Sequence, residues 1–203
     1  MTLPVFSIVT NKKYFEDSTI GIYVEGNMSD GKKNYEHDWR RPINLEMFMG
    51  EGEESQINQL CETRIMGGAS RGNMMKSLAI YANKRFGTKR FTYEFFPEQK
   101  PGVNDFKSIS LRNAGNDFDY LYMRDAIIQR SMAETCDLDW QAWMPAVVYI
   151  NGVYKGMLNL RERSNEDNIY TNYDGLEDID MFETWWELKA GDWYNYNLFK
   201  AFY

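Results

Sequence analysis

The sequence predicts an α+β fold in which an antiparallel sheet packs against a helix. Short strand-like segments recur between turns up to residue 112, and one later segment has helical periodicity. Asn151-Gly152 separates two apolar runs, as in a β-hairpin. A length of 203 residues suits one domain. We therefore expect residues 1–203 to form a single domain.

Seven segments before residue 113 have the alternating or β-branched pattern of strands, and turn-forming residues separate them. In the third segment, Ile43, Leu45 and Met47 share one face. A stretch rich in Gly, Asn, Asp and Lys between residues 25 and 38 predicts an exposed loop. The predicted strands are residues 4–9, 20–24, 42–49, 61–66, 76–81, 91–96 and 108–112.

An amphipathic helix is predicted from about residue 120 to residue 133, with Asp117 or Asp119 as its N-cap. At ~100° per residue, Arg124 falls in the middle of the apolar arc and Asp125 at its edge. We expect this arc to face the core, so the Arg124 guanidinium must be paired or must reach a cavity. The arc comprises Tyr120, Leu121, Met123, Ile127, Ile128 and Met132.

The clearest local signal is a hairpin with a type I′ turn at Asn151-Gly152, between a strand over residues 147–150 and a strand beginning at Val153. Further along, the pattern predicts a helix over residues 166–173, a strand over 179–182 and a helix over 193–203. Because this last helix has no C-cap, we expect the natural protein to continue beyond it.

Composition excludes several classes of function. One histidine, His37, rules out a zinc site with two histidines, and two cysteines rule out a cysteine metal cluster. A net charge of −7 argues against a general nucleic-acid-binding surface, so no nucleic-acid partner is expected. No apolar run approaches the ~20 residues of a transmembrane helix.

A glycine-dense stretch from Gly67 to Asn73 lies between two predicted strands and is followed by Lys76. Glycines let backbone N–H groups approach a phosphate, and a lysine on the next strand can reach phosphate oxygens. The stretch has no Walker A motif and lacks the spaced glycines of the usual kinase loop. From spacing alone, a plain hairpin loop is favoured and a phosphate loop is the alternative.

Two further positions carry charge where the pattern predicts burial. Arg124 would either form a structural ion pair, for which Glu162 is a better partner than Asp125, or line a pocket. In a strand, Glu162 points away from the two flanking arginines. If it faces the core beside Lys76 or Arg124, the two form a kinase-like lysine–acid arrangement; a solvated edge charge is the alternative.

In their order and spacing, these pieces resemble the CotH (spore-coat protein H) kinase family. Each matching segment alone is weak evidence for the family, whereas their joint order along the chain is specific for it. The matching segments are Leu3 to Thr10, Gly21 to Val24, Arg41 to Glu46, Arg64 to Arg71, Lys76 to Leu78, Leu111 to Asn113, Gly115 to Asp117, Met123 to Ala126, Tyr149 to Gly152, Gly156 and Asn159 to Arg163.

The resemblance implies an atypical protein kinase with a much-altered kinase fold. The predicted sheet and helix would then form a kinase-N-lobe-like antiparallel sheet with a packed helix. The resemblance also implies ATP and Mg²⁺ as cofactors, and transfer of the ATP γ-phosphate to Ser/Thr of a secreted, cell-surface or spore-coat protein. An extracytoplasmic or cell-surface location is implied as well.

The resemblance assigns roles to individual residues. The glycine loop would cover the nucleotide phosphates, Lys76 would hold the α- and β-phosphates, and either Arg124 with Asp125 or Glu162 would orient that lysine. One sequence does not decide between those acids. The nucleotide-binding residues that it implies are Gly67, Gly68, Ser70, Arg71, Lys76, Arg124, Asp125 and Glu162.

The sequence also departs from the family pattern. A kinase needs an acid that orients the substrate hydroxyl and a metal-binding aspartate. In the family these lie beyond the hairpin, and neither is found here. Asn165 stands where an aspartate is usual, and Met75 replaces a commonly polar or basic residue. We therefore expect the N-terminal portion of a larger CotH-like kinase domain, inactive by itself.

The alternative hypothesis is non-enzymatic. The same fold could serve as a non-catalytic surface module that binds a protein or a glycan, with its aromatic residues at the interface. The aromatic content of 16% is compatible with that role. A glycan-processing enzyme is disfavoured, because no pair of catalytic carboxylates is located in the sequence.

Overall fold

The computed structural model describes residues 3–50, 52–133 and 135–202, and the chain divides into two compact units, residues 1–162 and 163–203. The strands are β1 (Val5–Val9), β2 (Arg41–Phe48), β3 (Ile57–Met66), β4 (Ser77–Tyr81), β5 (Phe91–Thr92), β6 (Asp105–Phe106), β7 (Ser108–Arg112), β8 (Trp143–Ile150), β9 (Val153–Arg161), β10 (Met181–Glu183) and β11 (Glu187–Ala190). The α-helices are α1 (Lys13–Glu16), α2 (Arg124–Ala133), α3 (Glu166–Asn172) and α4 (Tyr194–Phe202).

Seven strands of the first unit close into a mixed β-barrel in the order β1-β2-β3-β4-β7-β9-β8. Neighbouring strands are antiparallel except β1 and β8, which run parallel with Val5 opposite Val147 and Ile8 opposite Ile150. An open sheet would leave the backbone groups of two edge strands unpaired, and closure of the barrel pairs them.

The predicted α+β fold, a kinase-N-lobe-like antiparallel sheet with a packed helix, is therefore wrong. Most of the predicted strands exist, but they form a closed barrel with few helices rather than an open sheet. Closure depends on residues 5–8 pairing with residues 147–150. Local hydrophobic patterns specify strands and their buried faces, and they do not specify such distant partners.

Alternate residues of each barrel strand fill the interior. Leu78 lies opposite Leu111, and Leu111 lies opposite Leu160. All three are fully buried, and each such side chain contributes roughly 1.5–3 kcal/mol of hydrophobic stabilisation. The interior is otherwise built from Phe6, Ile8, Ile43, Leu45, Met47, Ile65, Ile80, Ile109, Ala146, Val148 and Leu158.

Helix α2 does not pack as the sequence predicts. It begins at Arg124 rather than near residue 120, and Ala126 is its buried residue. Ile127 is 45% exposed and Ile128 is 54% exposed, so the prediction that the apolar arc faces the core is wrong. The carboxylate of Asp117 accepts the N–H of Arg124 and thereby caps the helix start.

Other predicted strands are confirmed where the segment pairs with a neighbouring strand and are wrong where it does not. The hairpin is confirmed, and its turn residues Asn151 and Gly152 have φ of 50° and 75°, as a type I′ turn requires. The strands predicted over 20–24 and 91–96 are wrong, except at Phe91–Thr92. Their apolar side chains, including Ile22 and Phe95, are nevertheless buried, so burial there needs no strand ladder.

The second unit contains α3, the β10–β11 hairpin and α4, which confirms the elements predicted there. The predicted helix over 193–203 corresponds to α4, and Tyr203 lies outside the described residues. Rings of Phe182, Trp193 and Tyr196 pack together, with Phe182 and Trp193 centroids 4.6 Å apart. Across the part of the chain that the structure describes, no helix combines the length and apolar character needed to cross a membrane.

Candidate functional site

The loop from residue 67 to residue 73 joins β3 to β4 and contains a 3-10 turn over Ala69–Gly72. Gly67 has φ of 111°, and a Cβ there would lie 2.4 Å from Ser70 Oγ, so the turn requires glycine at this position. A Cβ on Gly68 would meet no heavy atom within 4 Å, so the space beside that residue is open.

Arg71 connects this loop by hydrogen bonds to the segment that precedes β2. Its guanidinium donates to the Gly67 carbonyl, to the Glu36 carbonyl at 2.8 Å and to Asp38 Oδ1 at 3.0 Å. Burial disfavours the charged form of Asp38, but the charges of Arg64 and Arg71 outweigh it and lower the pKa of that carboxyl. The Arg71 side chain is thus already engaged in holding the loop.

Lys76 lies at the base of the loop and is only 5% exposed. Its Nζ donates to the carbonyls of Arg71 at 2.7 Å and Asn73 at 3.1 Å, and lies 4.0 Å from the Tyr35 ring centroid. Its backbone N–H donates to the Tyr23 hydroxyl at 3.1 Å. Burial lowers the pKa of the Lys76 ammonium, and the charge of Glu25 opposes that shift.

No carboxylate of the described residues lies within 4.0 Å of Lys76 Nζ, so the ammonium is held by neutral groups. The sequence predicts Asp125 or Glu162 as its acidic neighbour, and the structure brings neither to it. Following the pairing of β4 with β7 and of β7 with β9, Lys76 and Glu162 lie about four positions apart along the strands, on the order of 13 Å.

Glu162 instead pairs with a lysine that the sequence reading missed. Its Oε2 lies 2.6 Å from Lys100 Nζ and accepts the backbone N–H of Ala142 at 2.8 Å. The Glu162 side chain is fully buried, and Lys100 also donates to the Trp140 carbonyl at 2.9 Å. A buried lysine–acid pair therefore exists, but at Lys100 rather than at Lys76.

Asp125 lies between two arginines on the outer face of the barrel. Its Oδ2 is 2.5 Å from Arg112 Nη1 and is also bonded to Arg161 Nη1. Burial opposes ionisation of Asp125, but the charges of Arg161 and Arg112 outweigh it and lower its pKa. Arg161 is 1% exposed, and its Nε and Nη2 have no hydrogen-bond partner.

Arg124 has a different neighbour from the one expected. Its guanidinium lies 3.2 Å from Asp117 Oδ1, with 58% of its side chain exposed. Since Asp117 also caps α2, the pair belongs to the helix start. Arg124 therefore neither faces the core nor pairs with Glu162.

Asn113 is fully buried and holds the base of the loop, a role that the sequence analysis did not predict. Its backbone N–H donates to Ser77 Oγ, and that hydroxyl donates to its Oδ1. Its Nδ2 donates to the carbonyls of Met75 at 2.7 Å and Ser70 at 3.3 Å. A polar residue directly after a buried strand, Ser108–Arg112, is the signal that could have identified it.

The residues present fit a phosphate group better than they fit a metal ion. Lys76 supplies a desolvated ammonium without a carboxylate neighbour, and the space beside Gly68 in the adjoining loop is open. Within the described ranges, no group of three His, Cys, Asp or Glu side chains could hold a metal.

The family model described as CotH kinase protein matches residues 63–199, which include the loop, Lys76, the hairpin and most of the second unit. No curated protein matches the sequence.

Proposed function

Because this chain belongs to the CotH kinase family, we propose that it forms the nucleotide-phosphate-binding portion of an atypical protein kinase. The proposed reaction transfers the γ-phosphate of ATP to a Ser/Thr hydroxyl of a surface or coat protein. In this proposal the loop over residues 67–73 and Lys76 bind phosphate oxygens. We expect this chain by itself to give little or no turnover.

The observation that carries the proposal is the environment of Lys76. An ammonium that is 5% exposed has lost most of its hydration, and its partners are carbonyl oxygens and a tyrosine ring. Neutral partners leave its positive charge uncompensated, whereas a carboxylate partner would cancel it. An anion that reaches this ammonium would gain a charge-assisted hydrogen bond in a low-dielectric environment.

Phosphate binding would require a local rearrangement of the loop. The two carbonyls that now accept from Lys76 belong to Arg71 and Asn73, both within the loop. Phosphate oxygens would replace one or both as acceptors, while Asn113 keeps the base of the loop attached to β7. Gly68 would allow the ligand to approach, because no side chain fills the space beside it.

No step of the proposal is routed through a metal ion or a catalytic acid. The described residues contain no group of three His, Cys, Asp or Glu side chains that could hold a metal. Asp125 and Glu162 are engaged by Arg112, Arg161 and Lys100. Phosphoryl transfer depends on positioning and electrostatic stabilisation of the transferred group. A phosphate-binding loop alone supplies only part of that stabilisation.

Isothermal calorimetry of ATP and of inorganic triphosphate against the chain tests the proposal. Lys76→Met keeps the aliphatic stem and removes the charge, so we expect both ligands to bind at least tenfold more weakly. Lys84→Met is the matched control, because Lys84 is exposed. Circular dichroism checks that each variant is folded. Equal affinity of wild type and Lys76→Met for both ligands would contradict the proposal.

A second candidate function, a non-catalytic surface-binding module, rests on a different observation. Trp186 in the second unit is 61% exposed and has φ of 62°, a conformation that costs a bulky residue free energy. Its ring lies 5.1 Å from that of Tyr196. Exposed aromatic rings that pack against a neighbouring ring are typical of protein- and glycan-binding surfaces. Absence of ATP binding, together with quenching of Trp186 fluorescence by soluble oligosaccharides, would favour this function.

A further inference from the structure

A cavity of about 190 Å³ opens beside α1 and the tip of the β8–β9 hairpin. Its floor is apolar: Phe15 is 3% exposed and Ile150 is 5% exposed. The Tyr23 ring forms one wall and stacks on Phe15, with the ring centroids 5.8 Å apart. The complete lining is Lys12, Phe15, Glu16, Tyr23, Ile150, Asn151, Val153 and Lys155.

The rim of this cavity carries a net positive charge. Lys12 and Glu16 form an ion pair with Nζ and Oε2 3.3 Å apart, so each offsets the other. Lys155 remains, and its Nζ lies 5.6 Å from the Tyr23 ring centroid. Among the residues that the structure describes, Lys155 has no carboxylate within 4.0 Å. Its charge is therefore available to a ligand.

The size of the cavity limits the class of ligand. A cavity of ~150 Å³ lined by apolar side chains can hold benzene, whereas drug-sized ligands occupy ~300 Å³ or more. A volume of about 190 Å³ thus suits a single ring or a short branched aliphatic body. The apolar floor would bury that body, and the polar rim would hold an ionised end.

We propose that this cavity is a binding site for a small amphipathic anion, a carboxylate carried on a flat apolar body. The body lies against Phe15, Ile150 and Tyr23, and the carboxylate accepts a hydrogen bond from the Lys155 ammonium. The site lies within the first unit and shares Tyr23 with the surroundings of Lys76.

Titration with benzoate tests this proposal, with chemical shifts of the backbone amides of the full chain measured by NMR. We expect saturable shifts at Tyr23, Ile150, Val153 and Lys155, with a Kd on the order of 1 mM for so small a ligand. Benzamide has the same shape without the charge. It should bind about 5- to 10-fold more weakly, because it lacks the charge-assisted bond.

Two variants separate the charge from the cavity. Lys155→Met should weaken benzoate binding about 5- to 10-fold and leave benzamide binding unchanged. Val153→Trp should fill the cavity and abolish binding of both; Val153 is 57% exposed, so the variant is expected to fold. Lys84→Met, at an exposed position away from the lining, should bind benzoate as wild type does.

Three results would each overturn the proposal. The first is an absence of saturable shifts at the lining residues. The second is equal affinity for benzoate and benzamide, which would remove the role of charge. The third is a Lys155→Met variant that binds benzoate as tightly as Lys84→Met does. Lys76 is unchanged in these variants, so a failure of this proposal is distinguishable from a failure of the Lys76→Met titrations with ATP.

Discussion

Lys100 Nζ lies 2.6 Å from Glu162 Oε2, and this ion pair is buried in the barrel unit. Both residues contact backbone groups of the irregular segment that precedes β8: Lys100 donates to the Trp140 carbonyl and Glu162 accepts the Ala142 N–H. The pair therefore links the segment after β5 to the end of β9. Glu162, one of the two acids that the sequence analysis considered as a partner of Lys76, is therefore paired with Lys100 instead.

Removal of one charge from this pair should strongly destabilise the protein. Glu162→Gln can still accept the Ala142 N–H but leaves the Lys100 ammonium buried without its counterion, which costs about 3–5 kcal/mol. The double variant Lys100→Met/Glu162→Gln should regain most of that loss, since no charge is then buried. Urea unfolding measures both. Glu25→Gln, at an exposed ion pair with Lys33, is the control and should not change the midpoint.

Truncation of Asn113 should loosen the loop over residues 67–73. Asn113→Ala removes the side-chain donor to the carbonyls of Met75 and Ser70 and the acceptor of the Ser77 hydroxyl, at a cost of about 2–4 kcal/mol. Ser77→Ala removes the two hydrogen bonds between Ser77 Oγ and Asn113 and should cost about 1–3 kcal/mol. Hydrogen exchange should accelerate in residues 67–76 of Asn113→Ala. Unchanged protection there would show that Asn113 does not hold the loop.

The ion pairs of Asp125 predict a pH dependence of stability. Its pKa is lowered in the folded state by the charges of Arg161 and Arg112, despite burial. A carboxyl with a depressed folded pKa stabilises the protein above its unfolded pKa of ~3.9, and this contribution is lost as the pH falls through the folded pKa. Asp125→Asn should therefore be less stable than wild type at pH 7, and the difference should shrink below about pH 4.

Urea midpoints at pH 7 and pH 3 measure this difference. Asp119→Asn serves as the control, because Asp119 is exposed, and its midpoint should follow that of wild type at both values. A difference between wild type and Asp125→Asn that is equal at pH 7 and pH 3 would exclude the proposed electrostatic origin.

The closed barrel predicts unequal effects of two similar truncations. Leu111 is fully buried in the interior, so Leu111→Ala should cost about 2–5 kcal/mol. Ile128 lies on the exposed face of α2 and is 54% exposed, so Ile128→Ala should change stability by less than about 0.5 kcal/mol. If α2 packed its apolar arc on a sheet, as the sequence suggested, Ile128→Ala would cost as much as Leu111→Ala.

Local patterns predicted those elements whose burial follows their own periodicity. The alternation of Ile43, Leu45 and Met47 predicted β2, and Asn151-Gly152 predicted the hairpin. The same reasoning failed for α2, because a helical arc shows which side chains share a face and not what that face contacts. It also failed for residues 20–24, where Ile22 is buried without pairing in a strand.

At the candidate site, too, local sequence predicted some features and not others. Glycine density identified the loop, and proximity in sequence connected it to Lys76. The partner of Lys76 was not predictable, because Asp125 and Glu162 belong to elements distant in sequence, each with a basic neighbour nearer in space. Asn113 was missed, because its role depends on Ser70, Met75 and Ser77 meeting around it.

By itself the sequence determined most of the strands, the hairpin turn and the family, since each depends on residues close together or on the order of short segments. Only the tertiary structure decided that the sheet closes, that Lys76 is held by carbonyls, and which arginine or lysine each carboxylate contacts. Those outcomes depend on pairing between segments far apart in the chain, such as β1 with β8. Pairing of this kind is selected by the packing of the whole barrel and not by any one segment.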